Sequence, residues 1–472
     1  MKILLINPPI DSVIFASIPK EFYDIRGVHP PLGLLYIASF LLEKNSDYRV
    51  EIYDMEAENK SAKDVEEKIK SFCPDIVGVQ MLSMLALSVL NVLKIVKKVN
   101  SKTVTVVGGV HPTLYPVETA ALADIDYVVV GEGELTFNEL VENIQKKQNN
   151  SLKEIKGIAY KKNGVVIVNK KREEIKDIDS IPLIDRDLLS LDKYTSFFSN
   201  SKKSTSIITS RGCPHSCIFC FNTSKNFRAH SPEYVISDIK NCLRLRIKDI
   251  FVVDDNFSLN IKRAKMICQY IINEKLNFHW YINTRINSVD EELLHLLKKA
   301  GCRQINYGIE TGSQKIADIL QKNINLDEAK DVIKNTKKAG IKVLCYFMLG
   351  LPEEKKEDLD LTMKFIKETN PNFVRFSVTT IEPMTTLYSL ARERKIVQGD
   401  IWRDFAKNPK ENFSVPVWDE YYSKEELNEL LVIMSKKYYF SFQYIIGHLL
   451  EFKNWFNFRK NLKILFLLLK KK

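Results

Sequence analysis

Two hydrophobic periods alternate along this chain. "KILLINPP" (residues 2–9) is a short apolar run stopped by prolines, and "PLGLLYIASFLLEK" (31–44) then has helical spacing. "YRVEIYDME" alternates, "DIVGVQML" is apolar throughout, and "SVLNVLKIVKKV" is helical again. "TVTVVGG" and "DYVVVGEGE" read as strands that end in glycine, and "LTFNELVENIQKK" closes the series as a helix. Short buried strands alternating with helices predict a parallel sheet covered on both faces, which bounds a first domain at residues 1–150. Ligands of such sheets sit beyond the carboxyl ends of the strands. Here those ends are Asn7, Asp54, Ser83, Gly108-Gly109 and Gly131-Glu132-Gly133, and the glycines let backbone approach something bulky.

Residues 151–203 break the rhythm. "IKGIAYKKNGVVIVNKK" predicts a hairpin turning at Asn163-Gly164, and "IDSIPLIDRDLL" a linker, so this stretch reads as a bridge between domains. Alternation resumes over 204–390, with strands expected at "SIITS", "DIFVVDD", "FHWYINTR", "QINYGIE", "KVLCYFMLG" and "FVRFSVTT". A helical stretch separates each from the next. The six βα units suggest a barrel or partial barrel, whose chemistry collects at the carboxyl ends of its strands. Residues 391–472 are helical and aromatic. In the tail Ile445, Leu449, Phe452, Phe456 and Leu462 step at helical intervals among basic residues. That tail suits either a membrane interface or packing on the barrel.

Composition adds limits. The eight cysteines in 472 residues are too few for a disulfide framework, and "MKILLINPPI" is too soon broken by prolines to be a secretion signal. A cytoplasmic setting is expected. No run of about 18 apolar residues occurs, so no spanning helix is expected. The formal charge is +11, but much of it lies after Glu451, at Lys453, Arg459, Lys460, Lys463 and Lys470–Lys472. That is a local surface, and no nucleic-acid partner is expected.

The densest chemistry is "RGCPHSCIFC", which places Cys213, Cys217 and Cys220 on the loop after the first strand of the second series. A structural zinc site wants four ligands, and His215 as the fourth would be cramped. Three unrelated thiols on one loop would invite oxidation. An iron–sulfur cluster is the third reading: thiolates hold it by preference, and three of them leave one iron of a four-iron cluster open.

Cys213-xxx-Cys217-xx-Cys220, with Phe219 before the last cysteine, resembles the signature of the radical S-adenosylmethionine (SAM) superfamily. The resemblance implies a [4Fe-4S] cluster whose open iron chelates the amino and carboxylate groups of SAM, whose cleavage yields a 5′-deoxyadenosyl radical. It also implies a reductant such as a flavodoxin or ferredoxin. Further SAM contacts carry over by position. Asp254, Asp255 and Asn256 stand where the family often has Gly-Gly-Glu for the SAM amino group, a departure that still supplies acceptors. Arg285 suits the SAM carboxylate, since guanidinium matches carboxylate as a fork. Glu310 is placed for the ribose hydroxyls and Gly350 for the adenine side.

"INPP", "HPPLGLLYIASFLL", "IYDME", "VVGGVHPT" and "VVVGEGE" resemble the cobalamin-binding domain of one branch of that superfamily. The implied architecture is α/β: a flavodoxin-like doubly wound parallel sheet, a partial (β/α)6 barrel, then a helical region. Ser83, Gly108 and Gly109 are the candidates for cobalamin contact. Many cobalamin domains give a histidine ligand from Asp-x-His-x-x-Gly, but both His29 and His111 lack an aspartate two residues before. His111 is expected to be structural, and the domain is either a working cobalamin site or a relic. The expected reaction is methylation of an unactivated carbon of a small or lipid-like substrate. The rivals are radical cyclisation and methylthiolation, with a zinc-binding adaptor as the non-enzymatic alternative.

Overall fold

The computed structural model describes residues 1–10 and 27–449, apart from 148, 197, 198, 200, 202 and 223. The described chain folds as two units. The first comprises the opening strand, residues 28–194 and residues 399–414. The second comprises residues 195–398 and the described residues from 415.

The first unit is built on seven strands: β1 (Lys2–Asn7), β2 (Arg49–Asp54), β3 (Ile76–Gln80), β4 (Val104–Gly108), β5 (Tyr127–Val129), β6 (Ile158–Lys162) and β7 (Val165–Val168). Their order in the sheet is β2-β1-β3-β4-β5-β6-β7, with β1 to β5 parallel. The first five give the flavodoxin-like order, which reverses direction at β1 and β3. Ile3, Leu4, Leu5 and Ile6 on β1 are at most 1% exposed, so both faces of this strand are covered. Only helices on both sides do that for a parallel sheet. Those helices are α1 (Leu32–Lys44), α2 (Val65–Phe72), α3 (Ala86–Val99) and α4 (Gly133–Gln145), with α1 packed on α4 and α2 on α3. Leu34, Ala38, Leu140 and Val141 meet Ile3, Leu5, Ile76 and Val106 in one apolar core.

Two expectations about domain limits change. The hairpin expected as a bridge turns at Asn163 (φ 52) and Gly164 (φ 80), the left-handed pair a tight hairpin needs, but it is not a bridge. β6 pairs antiparallel with β5, so the hairpin extends the first sheet, because the short edge β5 leaves backbone groups to satisfy. The helical C-terminal region is also not one body. Residues 399–414 pack in the first unit, where the rings of Trp402, Phe405 and Phe413 meet edge-on or tilted and Arg403 Nε reaches Glu118 Oε1 at 3.2 Å.

The second unit holds six strands: β8 (Ser204–Ile207), β9 (Asp249–Val252), β10 (His279–Thr284), β11 (Cys302–Glu310), β12 (Lys342–Leu349) and β13 (Phe373–Val378). All neighbours are parallel and lie in chain order, an arc of a barrel. The intervening helices are α5 (Pro232–Arg244), α6 (Ile261–Asn273), α7 (Glu291–Lys299), α8 (Leu326–Lys338) and α9 (Lys356–Thr369). The loops into α5 to α8 end on Ser231, Asn260, Asp290 and Asn325, whose side-chain oxygens accept from the first-turn N–H groups. Such caps contribute about 1 kcal/mol each and fix where a strand-end loop stops. Among the described residues no helix is long and apolar enough to cross a membrane. The tail expected as a basic amphipathic helix lies, from residue 450, outside the described residues.

Candidate active site

The three cysteines lie on the loop between β8 and α5, and its base is pinched shut. Ser210–Arg211 pairs antiparallel with Arg228–Ala229, and His230 N–H donates to the Thr209 carbonyl at 3.0 Å. Two buried charges brace this base. Asp254 accepts from Thr209 N–H, Thr209 Oγ1 and Ser210 Oγ, each at 2.6 Å. Arg263, on α6, donates from Nε to the His230 carbonyl at 2.6 Å and from a terminal nitrogen to the Thr209 carbonyl at 2.7 Å. Burial pushes the Asp254 carboxyl up, while its bonds to Ser210 and Thr209 and the Arg263 charge pull it back. At Gly212 (φ 84) a Cβ would stand 2.3 Å from the Asn226 carbonyl, so only glycine starts this loop.

The loop's apex is tied as firmly. Ile218, 4% exposed, donates from N–H to the Leu320 carbonyl at 3.1 Å and accepts from Leu387 N–H at 2.8 Å. Cys213 is held by its N–H to the Ser224 carbonyl and by Asn222 Nδ2 on its own carbonyl. Burial pushes the Cys213 thiol up. Cys220 is exposed by surface area, yet it stands among enough protein for burial and the nearby Cys217 to push its thiol up to about 11. Iron charge opposes both effects, since a metal-bound thiol is deprotonated outright. No group of three or more His, Cys, Asp or Glu among the described residues is spaced to hold a single metal ion. A cluster makes a different demand, because each of its thiolates bonds a different iron.

The other expected SAM residues divide. Asp254 does not face a ligand: three accepted bonds beneath the loop use its oxygens, which corrects the expectation that it meets the SAM ammonium. Its neighbour Asp255 is exposed, has no hydrogen bond among the described residues, and lies near enough to raise Cys213 and Cys220 electrostatically. Arg285, 7% exposed, donates to Cys217 Sγ at 3.4 Å and to the Lys322 carbonyl. Glu310 ends β11 at φ 71, a left-handed conformation rare outside glycine and common at functional sites. It pairs with buried Lys322 at 2.8 Å, and Lys322 Nζ lies 5.6 Å from the centre of the Phe219 ring. Gly350 (φ 73) has a reason of its own, for a Cβ there would meet Leu427 at 2.7 Å and the Trp418 carbonyl at 3.0 Å.

Arg263 and Lys322 were not expected. Arg263 carried a signal: it falls on the buried stripe of α6 with Ala264, Ile267, Cys268 and Ile271. A cation on an apolar stripe asks for acceptors. Lys322 lies in a turn between helices, where no periodicity marks it.

In the first unit, the carboxyl edge of the sheet brings Asn7 and Asp54 together. Asn7 Nδ2 and Tyr194 Oη both donate to Asp54, each at 2.8 Å. Ser83 Oγ lies 3.0 Å from His111 Nδ1. His111 is fully buried against Tyr115 and Phe405, and burial holds it neutral, at about 4, with Nε2 lacking a hydrogen-bond partner among the described residues. It behaves as a structural residue paired with Ser83. A Cβ on Gly108 would find only Val129, its nearest atom 3.6 Å away, and one on Gly131 would find nothing within 4 Å. Gly109 (φ 116) is different, since a Cβ would press on the Met81 carbonyl at 2.9 Å. A bare glycine edge with no exposed imidazole from His111 fits a corrin held without that ligand.

Residues 207–366 match the radical SAM superfamily and residues 23–141 the B12 binding domain. An uncharacterised methyltransferase from Pyrococcus horikoshii is 35% identical over 94% of this chain and 92% of its own. An anaerobic magnesium-protoporphyrin IX monomethyl ester cyclase from Rubrivivax gelatinosus is 30% identical over 82% of this chain and 69% of its own. The fold is shared with the cobalamin-dependent SAM radical enzyme OxsB with aqua-cobalamin bound, at TM-score 0.74 and 19% identity over 98% of this chain and 70% of that one. It is also shared with the radical SAM methyltransferase TsrM from Kitasatospora setae, at TM-score 0.68 and 17% identity over 83% of this chain and 78% of that one. The cysteine loop on a parallel barrel arc and the glycine edge of a flavodoxin-like sheet thus have one explanation: this chain belongs to the radical SAM superfamily, in the branch with a B12 binding domain, and its cofactors are a [4Fe-4S] cluster, SAM and cobalamin.

Proposed function

We propose that this enzyme methylates an unactivated carbon of a small or lipid-like substrate. The observation that carries the reading is the likeness to an uncharacterised methyltransferase, 35% identical over 94% of this chain and 92% of that relative. In support, His111 is buried with its Nδ1 engaged by Ser83, so this chain's own groups leave the face of a bound corrin free of that ligand. When bound, the cluster supplies the electron that cleaves SAM and the cobalamin carries the methyl group. One SAM leaves as S-adenosylhomocysteine after giving up its methyl. A second leaves as methionine and 5′-deoxyadenosine, having taken a hydrogen atom from the substrate carbon; the whole turnover would draw two electrons from the reductant, one for cleavage of this SAM and one to make the cobalamin able to accept a methyl group again.

The residues divide the work. Cys213, Cys217 and Cys220 hold the cluster, and Asp254 and Arg263 hold their loop. Asp255 accepts from the SAM ammonium, since it is the acid of the pair that is left exposed. Arg285 faces the SAM carboxylate side, Glu310 takes the ribose hydroxyls, and Gly350 lies on the adenine side. Ser83, Gly108 and Gly109 line the corrin. The cyclase likeness, at 30% identity, keeps radical ring closure as the second reading.

Three outcomes follow from these assignments. Anaerobically purified protein holds about four irons per chain, and Cys217→Ala drops iron and sulfide to background; a variant that keeps its cluster contradicts the ligand set. Gly108→Leu, at a position where the first added carbon would meet only Val129, 3.6 Å away, weakens cobalamin binding about tenfold or more; unchanged affinity in protein of unchanged melting temperature, read by absorbance titration, removes Gly108 from the corrin site. With methyl-labelled SAM, turnover puts label in the product and forms both S-adenosylhomocysteine and 5′-deoxyadenosine. If 5′-deoxyadenosine forms without labelled product or S-adenosylhomocysteine, methyl transfer is wrong and ring closure stands.

A further inference from the structure

Lys322 is a buried cation that no part of the proposed chemistry uses. It is 6% exposed, and its amino group donates to Glu310 Oε1 at 2.8 Å. Burying a lysine is costly unless it is paired, so the position is maintained by what it holds. Three features of the chain aim it inward. Gln321 (φ 53) and Asn323 (φ 51) flank it, both in the left-handed region, so the turn after the short helix Gln314–Ile319 bends at two strained residues to place one side chain. Gly308 leaves room for the pair, since a Cβ there would stand 2.4 Å from Glu310 Oε1 and 3.0 Å from Lys322 Nζ. The register between β11 and β12 slips between Gly308 and Glu310, and that irregularity re-aims Glu310.

Lys322 also reaches the cysteine loop by two routes. Its ammonium lies 5.6 Å from the centre of the Phe219 ring, between Cys217 and Cys220 in the sequence, at a distance where cation and ring attract. Its carbonyl accepts from Arg285, whose other terminal nitrogen donates to Cys217 Sγ at 3.4 Å. One residue therefore touches the carboxylate assigned to the ribose of SAM and, through Phe219 and Arg285, two parts of the cluster loop.

We propose that Lys322 is a positioning residue for SAM: it holds Glu310 extended toward the ribose hydroxyls and in register with the cysteine loop. The proposal rests on the assignment of Glu310 to the ribose. A carboxylate fixed by one cation keeps its second oxygen for hydroxyl donors and spends no rotamer freedom when the nucleoside arrives.

The test is SAM affinity measured by equilibrium dialysis on anaerobic, cluster-loaded, full-length protein, with iron content and melting temperature recorded for each variant. Lys322→Met keeps the irons and raises the SAM Kd about tenfold, whereas Lys322→Arg, which restores a cation, recovers most of the affinity. The double variant Lys322→Met with Glu310→Gln leaves no buried charge unpaired, so it stays folded if the single variant does not. It binds SAM no more weakly than Glu310→Gln alone, because the two residues act as one unit. If Glu310→Gln weakens SAM and Lys322→Met does not, the positioning role is overturned and the ribose assignment stands. If the double variant is weaker than Glu310→Gln by the full further factor of an independent Lys322 effect, the positioning role is likewise overturned. If neither variant changes SAM affinity, the ribose assignment and the positioning role both fall.

Discussion

The buried bracing of the cysteine loop by Asp254 and Arg263 is the interaction on which the site depends. A loop bearing three thiolates repels itself and gains little from packing, so something must fix its ends. Here one carboxylate collects three donors from Thr209 and Ser210, and one guanidinium collects the carbonyls of Thr209 and His230 from both arms. Charge-assisted bonds of this kind are short and directional, and out of water they lose little to screening. Each charge is also partly compensated by the other, because Arg263 lowers what burial raises on Asp254. The brace is built from the end of β9 and the start of α6, so the barrel's own βα unit aims the thiols.

Around that fixed loop the remaining contacts form a chain of supports. Ile218 is caught between the carbonyl of Leu320 and the N–H of Leu387, which ties the thiols to the turn before Lys322 and to the helix after β13. Arg285 and Lys322 bring positive charge to a site whose thiolates are negative. The first unit uses the opposite device, bareness. Its glycine edge presents backbone, its one buried imidazole is spent on Ser83, and Asn7, Asp54 and Tyr194 satisfy one another. One unit surrounds its cysteines with placed charge, and the other presents a bare backbone edge.

Much of this was legible in the sequence because the relevant signals are local. Most of the parallel strands read as apolar runs, since a strand covered on both faces has no polar side to hide it, whereas β2, at the edge of its sheet, alternates. The Asn163-Gly164 turn and the cysteine spacing are equally local. What escaped depends on pairing across distance. The hairpin looked like a bridge because nothing in residues 158–168 says that β5 lacks a neighbour. Residues 399–414 looked continuous with the helices around them, and only their aromatic packing shows that they belong to the first unit. Asp254 and Asp255 are adjacent and alike in sequence, yet one is fully engaged beneath the loop and the other exposed. Alternation along a strand end separates them, but which one turns inward follows from donors that lie 44 and 45 residues earlier in the chain. Lys322 met Glu310 only once β11 and the following turn were folded together.

The central claim is that three thiolates hold the cluster and that this chain leaves its fourth iron to SAM. Mössbauer spectroscopy of protein loaded with isotope-enriched iron, before and after SAM is added, addresses that iron directly. One iron in about four should change its signal toward higher coordination when SAM binds, with the other three unmoved. Four irons that stay equivalent and indifferent to saturating SAM would contradict the account.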